Sequence, residues 1–473
     1  MVDSFVPLCV DLDGTATPVD TLHESLLSLL RRSPRALLGL PSALTRGKAA
    51  FKRAIAEHAR IDVAQLPWRG ELLDWLRAQR AGGRPLFLVT AADSTLAAVV
   101  ADHLDLFDGV IASDGVQNLS GERKRAVLVA RFGEKSFDYV GNEAKDLAVW
   151  RSSRRAIVVG NESLIQRVRR IADVERSFAG TRPSLRATIK AIRLHQWIKN
   201  VLVFLPALLG HAILQPQVLY RSVLAFIAYG LCASSVYVVN DLFDLDSDRR
   251  HPRKRQRAFA SGLLPASRGL LYAAVLLAGA VAVAITVGPQ FCLVLACYYV
   301  LTWAYSIRLK RAAIVDVMTL AALYTLRIIA GSAATGIAAS FWLLALSMFA
   351  FLSLGVVKRY TELHDAAAAG RLGGHGRGYT GADLPLLLIL GIAAGFCSVV
   401  VMALYINSPD SQTLYKHKRV LWLICPLMLY WMSRVWLLTA RGQMLDDPVV
   451  FAARDRISLA TFGLIALVAI SSI

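Results

Sequence analysis

From about residue 200 to the C-terminus, apolar segments close to twenty residues long recur at short intervals. Each is long enough to cross a hydrocarbon core of about 30 Å as a helix, the form that pairs its own backbone groups where no water can. We read nine such spans, at about 200–216, 218–239, 268–287, 290–306, 312–332, 340–357, 384–405, 419–438 and 457–473. Several are rich in Gly and Ala, as helices that pack closely in lipid tend to be.

The loops test this parsing. Lys and Arg collect after the second span (Arg249, Arg250, Arg253, Lys254, Arg255, Arg257), the fourth (Arg308, Lys310, Arg311), the sixth (Lys358, Arg359, Arg371, Arg377) and the eighth (Arg441, Arg454, Arg456). The intervening loops carry little charge apart from Lys416 and Lys418. Positive charge alternates with each crossing, which the positive-inside rule expects of nine helices with a cytoplasmic N-terminus in a bacterial inner membrane. The segment Ser184–Asn200 mixes Arg, Lys, Leu, Ile and Trp197 and is expected to lie along the interface.

Up to about residue 180 the composition is that of an ordinary globular domain, so the 473 residues divide into at least two units. We expect a soluble domain at 1–180, an interfacial linker helix at 181–199 and a membrane domain at 200–473. The overall 55% hydrophobic content and mean hydropathy of +0.48 average these regimes. The net charge of +19 lies in short loops between spans, without an aromatic-rich basic patch, and does not indicate nucleic acid. Of six cysteines, Cys232, Cys292, Cys297, Cys397 and Cys425 lie inside apolar runs and none forms a C-x-x-C pair, so they read as small buried hydrophobes. The opening MVDSFVPLCVDLDG has neither a basic flank nor a long apolar core, so no cleavable signal peptide is expected. Nothing in the sequence specifies an oligomer.

In the first domain, the strand-like run from Phe5 to Val10 ends in Asp11-Leu12-Asp13-Gly14-Thr15. Two carboxylates one residue apart on a turn after a buried strand can share a magnesium ion while one attacks phosphorus. A second run, Leu86–Val89, ends in Thr90, whose hydroxyl suits a phosphate oxygen. Lys124 follows, then the strand-turn FDYVGNEAKD with Asn142, Glu143 and Asp146. Strands alternating with helices, with polar residues at strand ends, indicate a doubly wound α/β sheet. These motifs, in this order, resemble the haloacid dehalogenase (HAD) superfamily of phosphohydrolases over about residues 5–175. The resemblance implies that Asp11 is the nucleophile and Asp13 the general acid/base. It also implies that Thr90 and Lys124 bind phosphate, that Asp11, Asp13 and Asp146 hold the metal, and that helices over about 21–80 form a cap. The family has an aspartate where this chain has Asn142; Glu143 is a candidate substitute, and a non-catalytic domain that binds a phosphorylated ligand is the alternative.

The second span runs into N-D-L-F-D-L-D-S-D, with Asn240, Asp241, Asp244, Asp246 and Asp248. Asp241, Asp244 and Asp248 are spaced by three and four and share one helical face. Such mutually repelling carboxylates at membrane depth make sense if divalent cations neutralise them, and oxygen ligands suit magnesium; a solvated acidic loop is the bland reading. Arg253, Lys254 and Arg257 are candidates to complete an anion pocket, and His251 reads as structural. Later basic patches add Tyr305, Arg308 and Lys310, then Lys358, Arg359, Tyr360 and Glu362. Arg327, within an apolar run, is expected to face the bundle interior. Lys199 and Asn200 stand at the first span beside Trp197, an interfacial anchor or a site residue.

The second half, over about 185–473, resembles the UbiA superfamily of intramembrane prenyltransferases through N-D-x-x-D-x-x-x-D at Asn240, Asp241, Asp244 and Asp248. That resemblance implies an all-α bundle in which these residues hold a magnesium-bound diphosphate. RLHQWIKN, NDLFDLDSDRRHPRKRQR, ASG, YSIRLK and VKRYTEL are similar to the decaprenyl-phosphate phosphoribosyltransferase branch. Lys358-Arg359-Tyr360 stands where aromatic prenyltransferases carry a second D-x-x-x-D. The branch implies magnesium-dependent transfer of 5-phosphoribose from phosphoribosyl pyrophosphate (PRPP) to a polyprenyl phosphate, through Lys199, Asn240, Arg253, Lys254, Arg257, Tyr305, Lys310, Lys358, Arg359 and Tyr360. The fused first domain is then expected to remove the 5-phosphate. Two other readings remain open: an aromatic, quinone-precursor prenyltransferase using a prenyl diphosphate, and a lipid-phosphate transporter or scaffold with a regulatory soluble domain.

Overall fold

The computed structural model describes residues 6–181, 183–368, 377–444 and 447–473, so Phe5 and Arg371 lie outside the described residues. The chain forms two compact units, Met1–Ile192 with Tyr237–Ala273, and Arg193–Val236 with Ala274–Ile473. This division does not follow the expected boundaries, because residues assigned to the membrane domain belong to the first unit.

The first unit is built on six strands: β1 (Leu8–Val10), β2 (Leu86–Asp93), β3 (Gly109–Ser113), β4 (Asp138–Gly141), β5 (Arg155–Gly160) and β6 (Asp173–Ala179). They form one parallel sheet of order β3-β2-β1-β4-β5-β6, with Val10 level with Leu88 and Val140. All three residues of β1 are buried, since a parallel sheet is covered on both faces. Side chains alternate between those faces. Cys9, Val89, Tyr139 and Val158 pack with Leu128 and Trp150, and Leu8, Val10, Leu86, Val140 and Ile157 pack with Leu72, Leu73, Trp75 and Leu76. Each such Leu, Ile or Val contributes about 1.5–3 kcal/mol by leaving water. In this order the chain reverses direction across the sheet between β1 and β4, and the crevice at their C-terminal ends is where such sheets bind ligands.

The helical insertion comprises Thr21–Arg32, Leu40–Thr45 and Lys48–His58 around a small core of Leu29, Leu40 and Ile55. Its first helix is capped by Asp20, which accepts from the N–H groups of Leu22 and His23, and ends in Arg31 and Arg32, the charge its C-terminal dipole favours. The insertion is shorter than the expected 21–80, because Gly70–Ala81 packs its apolar face on the sheet.

Among the described residues seven helices are long and apolar enough to cross a membrane: Pro216–Phe243, Ala266–Val287, Pro289–Ile307, Val315–Thr335, Phe341–Ala368, Gly381–Ile406 and Lys418–Ala440. The other two expected spans correspond to shorter apolar segments, Leu194–Leu209 and Arg456–Ser471. The first is a 3-10 helix, Leu194–Phe204, followed by the short α-helix Leu205–Leu209. Pro206 lacks the N–H that an α-helical ladder through this point requires. The linker is a seven-residue helix, Leu185–Ala191.

In the second unit, polar groups pair inside the bundle. Trp436 donates from Nε1 to Ser353 Oγ (3.0 Å), which donates to the Gly391 carbonyl (2.7 Å), and Trp431 donates to Ser458 (3.0 Å). The outward faces are apolar, with Ile285, Leu293 and Ile389 each 67% exposed. A surface of this kind belongs against lipid.

Candidate active sites

The first site lies after β1. Lys124, on the helix Glu122–Phe132, donates from Nζ to Asp11 Oδ1 (2.8 Å) and to the Tyr139 hydroxyl (2.9 Å), which donates to Asp146 Oδ1 (2.9 Å). Thr15 donates to Asn142 Oδ1 (3.0 Å), and the Thr21 N–H donates to Asp13 Oδ1 (2.8 Å). Gly14 has φ +74°, and a Cβ there would strike the Asn142 amide, so glycine is required on both counts. Thr90 is buried in β2, two residues beyond Leu88, and its Oγ accepts from the Ala92 N–H (3.0 Å).

Asp146 also holds the backbone beside it. Its Oδ2 accepts from the N–H groups of both Asn142 and Glu143 (3.0 Å each), so it shapes the turn after β4. Glu143 pairs with Lys145 (3.4 Å) and caps the same turn. Among the described residues no three Asp, Glu, His or Cys side chains converge as a metal cage. Asp11 and Asp13 still fit magnesium, which binds through one or two carboxylates and otherwise keeps waters and substrate phosphates. Lys52, on Lys48–His58, escaped sequence reasoning because no motif marks it. Its Nζ donates to the Ala91 carbonyl (2.6 Å) and Asn118 Oδ1 (2.9 Å), and burial lowers its pKa against the pull of Asp13 and Asp20.

Burial pushes the Asp11 carboxyl up to about 7, outweighing the attraction of Lys124, and Asp146 adds repulsion. Burial, with Asp20, raises Asp13 to about 6. Burial opposes the charge on Lys124, but Asp11 and Asp146 hold its pKa above the ordinary lysine value. An aspartate in an unfolded chain titrates near 3.9, so the folded state binds more protons between about pH 4 and 7. Stability of the magnesium-free protein is therefore expected to fall as pH rises through that window. The check is the unfolding temperature of EDTA-treated protein in detergent, which should drop by several degrees from pH 5 to pH 7.5 and drop less in Asp11→Asn.

The second site is the aspartate motif. Asn240 and Asp241 lie on the last turn of Pro216–Phe243, and a six-residue helix, Leu245–Arg250, follows Asp244. Arg257 Nη1 donates to Asp241 Oδ1 (3.0 Å) and to Asp248 Oδ2 (2.8 Å). Burial raises the Asp248 carboxyl despite Arg257, and Asp241 and Asp244 add repulsion. One cationic nitrogen held between two buried carboxylates marks a place where positive charge is needed, and this pair of donors fits magnesium bound together with substrate phosphates. Arg253 and Lys254 are exposed, and His251 accepts from their N–H groups through Nδ1 (3.2 and 3.4 Å), the structural role expected of it.

The second unit holds the remaining sequence candidates, and two of them are committed to the packing. Arg359 is buried, ion-paired with Asp316 (2.6 Å) and Glu362, with its Nη2 3.4 Å from the Tyr305 hydroxyl; Tyr379 donates to Asp316 (2.6 Å). Tyr360 is buried between His364 and Trp436 in the core. Both side chains are therefore held by neighbours inside the bundle, Arg359 by two carboxylates and Tyr360 by two rings. Asp316→Ala is expected to destabilise the protein by about 1–3 kcal/mol, because the buried Arg359 keeps only Glu362 as a partner and Tyr379 loses its acceptor, measured as a lowered unfolding temperature in detergent. Unchanged stability with weakened substrate binding would return Arg359 to the site. Lys310 and Lys358 are half-buried. Lys199 pairs with Asp447, the N-cap of Pro448–Ala452, a partner the sequence signalled only through its Asp-Pro step. Arg327 faces the interior as expected, donating to Asn200 Oδ1 (3.0 Å) with its guanidinium 5.1–5.4 Å from the Tyr229, Tyr298 and Tyr324 rings. Trp197 donates to Ser234 (2.9 Å).

Residues 203–451, more than half of the chain, match the UbiA prenyltransferase family. The chain is similar to the uncharacterised protein y4nM of Sinorhizobium fredii, 38% identical over 467 residues that cover 98% of this chain and 90% of that protein. It is also similar to the decaprenyl-phosphate phosphoribosyltransferase of Mycobacterium tuberculosis, 39% identical over 186 residues, 38% of this chain and 62% of that enzyme. Among solved structures, a UbiA homolog from Archaeoglobus fulgidus bound to GPP and Mg2+ aligns with 60% of this chain and 99% of its own at 16% identity and a TM-score of 0.47. This protein is an integral membrane transferase and belongs to the UbiA prenyltransferase family.

Proposed function

We propose that the chain transfers 5-phosphoribose from PRPP to a polyprenyl phosphate and that its first domain then removes the 5-phosphate. The observation that carries the transferase reading is the convergence of Asp241 and Asp248 on one cationic nitrogen of Arg257. Similarity to a decaprenyl-phosphate phosphoribosyltransferase supports the choice of donor and acceptor. Asn240, Asp241, Asp244 and Asp248 would hold magnesium, which when bound neutralises charge growing on the leaving diphosphate. Arg257 releases the two carboxylates and, with Arg253 and Lys254, binds the donor's phosphates. Lys199, Tyr305, Lys310 and Lys358 are further proposed contacts to anionic groups of the substrates. The acceptor phosphate is already ionised, so no residue need act as a strong base: its oxygen forms the new bond to the anomeric carbon as the bond to diphosphate breaks.

In the first domain, Asp11 attacks phosphorus and Asp13 protonates the departing 5-oxygen; Asp13 then takes a proton from the water that releases phosphate from Asp11. A pKa of about 6 suits Asp13 to both transfers near neutral pH. Thr90 and Lys124 orient the phosphate oxygens, and Asp11 and Asp13, helped by Asp146, would hold magnesium. We further propose nine crossings of the bacterial inner membrane, with the first domain and the basic loops in the cytoplasm.

The test is incubation of the purified chain in nanodiscs with magnesium, polyprenyl phosphate and PRPP, followed by mass spectrometry of the lipids. A phosphoribosyl lipid supports the transferase, and a ribosyl lipid lacking the 5-phosphate supports both activities in sequence. No product, with prenyl transfer to an aromatic acid from a prenyl diphosphate, would move the assignment to the quinone-type reaction.

A further inference from the structure

The aspartate motif contains one acid, Asp246, that the spacing of Asp241, Asp244 and Asp248 leaves out. It accepts from Arg31 Nη2 (2.7 Å) on the insertion helix Thr21–Arg32, and Arg32 lies 3.8 Å away. Arg31 also donates from Nη1 to the carbonyl of Phe243 (2.8 Å), the last residue of the long helix that carries Asn240 and Asp241. Seven residues before Arg31, and so on the same helical face, Glu24 takes both ends of the Arg249 guanidinium (2.7 and 3.1 Å). Glu24 and Arg249 are buried, and Arg249 Nε donates to the Ala260 carbonyl (3.0 Å). Arg250 pairs with Asp62 (2.6 Å), and Gly262 lies so close to Pro18 that a Cβ would collide with its ring and press on Pro67. These ion pairs run in both directions: Glu24 and Asp62 hold cations of the motif segment, while Arg31 holds its anion.

The short helix Leu245–Arg250 is thereby held on several sides. Asp246 faces Arg31, Asp248 faces Arg257, Arg249 faces Glu24 and Arg250 faces Asp62. Six residues are too few for a helix to stand alone in water, so its rotation, and with it the aim of Asp248, depends on these partners. The same insertion helix begins at Thr21, whose N–H holds Asp13 of the phosphohydrolase-like site. We propose that Glu24 and Arg31 are positioning residues of the aspartate motif, so that one helix of the first domain aligns the acids of both centres. This rests on the reading of the motif as the site that binds the diphosphate donor.

The test uses the full chain in detergent with two readouts: KM and kcat for PRPP, and, independently of turnover, affinity for magnesium diphosphate by calorimetry. Partners that orient metal-binding groups from outside typically contribute 10–100-fold to affinity. Arg249→Glu is expected to raise both the KM for PRPP and the dissociation constant for magnesium diphosphate at least tenfold, with kcat changed less. The conservative Glu24→Gln, which keeps the side chain's size, should raise them about threefold. The swap Glu24→Arg/Arg249→Glu, which restores the pair in reverse, should recover most of the loss. Wild-type affinity for magnesium diphosphate in folded Arg249→Glu, or a swap no better than Arg249→Glu alone, overturns the proposal. If the wild type binds magnesium diphosphate but does not turn over PRPP, the donor assignment fails while the calorimetric comparison still decides the positioning role.

Discussion

Asp241→Asn is expected to lower phosphoribosyl transfer at least a hundredfold, with most of the loss in kcat. The substitution keeps size and one acceptor oxygen and removes one charge from the pair that meets on Arg257. Arg257 keeps Asp248 as a partner, so folding should survive, whereas the motif loses an anionic oxygen for magnesium. Removing one electrostatic element from a preorganised site commonly costs 10²–10³ in rate, because it acts where charge develops in the transition state. Initial rates of lipid product formation over a magnesium titration give the readout. Activity within fivefold of wild type with an unchanged magnesium requirement would sink the donor-site reading and revive the transporter or scaffold alternative.

Asp11→Asn is expected to reduce dephosphorylation by about a thousandfold or more while leaving transfer intact, so the 5-phosphorylated lipid should accumulate. An amide cannot attack phosphorus, and losing a covalent nucleophile is among the largest single effects known for an enzyme. Lys124 keeps a hydrogen-bonding oxygen at position 11 and its second partner, the Tyr139 hydroxyl. Mass spectrometry of lipids formed by the variant and wild type separates the outcomes: an unchanged ratio of phosphorylated to dephosphorylated product would remove the coupling of the two domains. Because Asn142 stands where the resembling family has an aspartate, Asn142→Asp is a useful companion, expected to tighten magnesium binding at this site.

Much of this was legible in the chain itself. Apolar runs of the right length marked all seven long helices, since the demand of lipid for continuous apolar surface is written in neighbouring residues. Asp11, Lys124 and Asp146 were named from the order of strand-end motifs, and the structure links them through Tyr139. Spacings of three and four placed Asp241 and Asp248 on one face, and both meet Arg257. The same local logic gave no account of charge pairing. Arg359 and Tyr360 stand in a basic patch of the sequence, and nothing local announces that Asp316 pairs with the one and Trp436 packs on the other. Nor does the sequence announce that Glu143 pairs with Lys145 across the turn after β4.

The sequence by itself determined the two regimes of the chain, the α/β character of the first and the seven long apolar helices of the second. All of these depend on periodicity and composition within a few turns or strands. Only the tertiary structure decided which charge neutralises which. Arg31 meets Asp246 across 215 residues and Arg249 meets Glu24 across 225, and such pairs form only once the packed core has brought distant backbone together. No local pattern distinguishes a guanidinium that will be buried against a carboxylate from one left to bind a substrate.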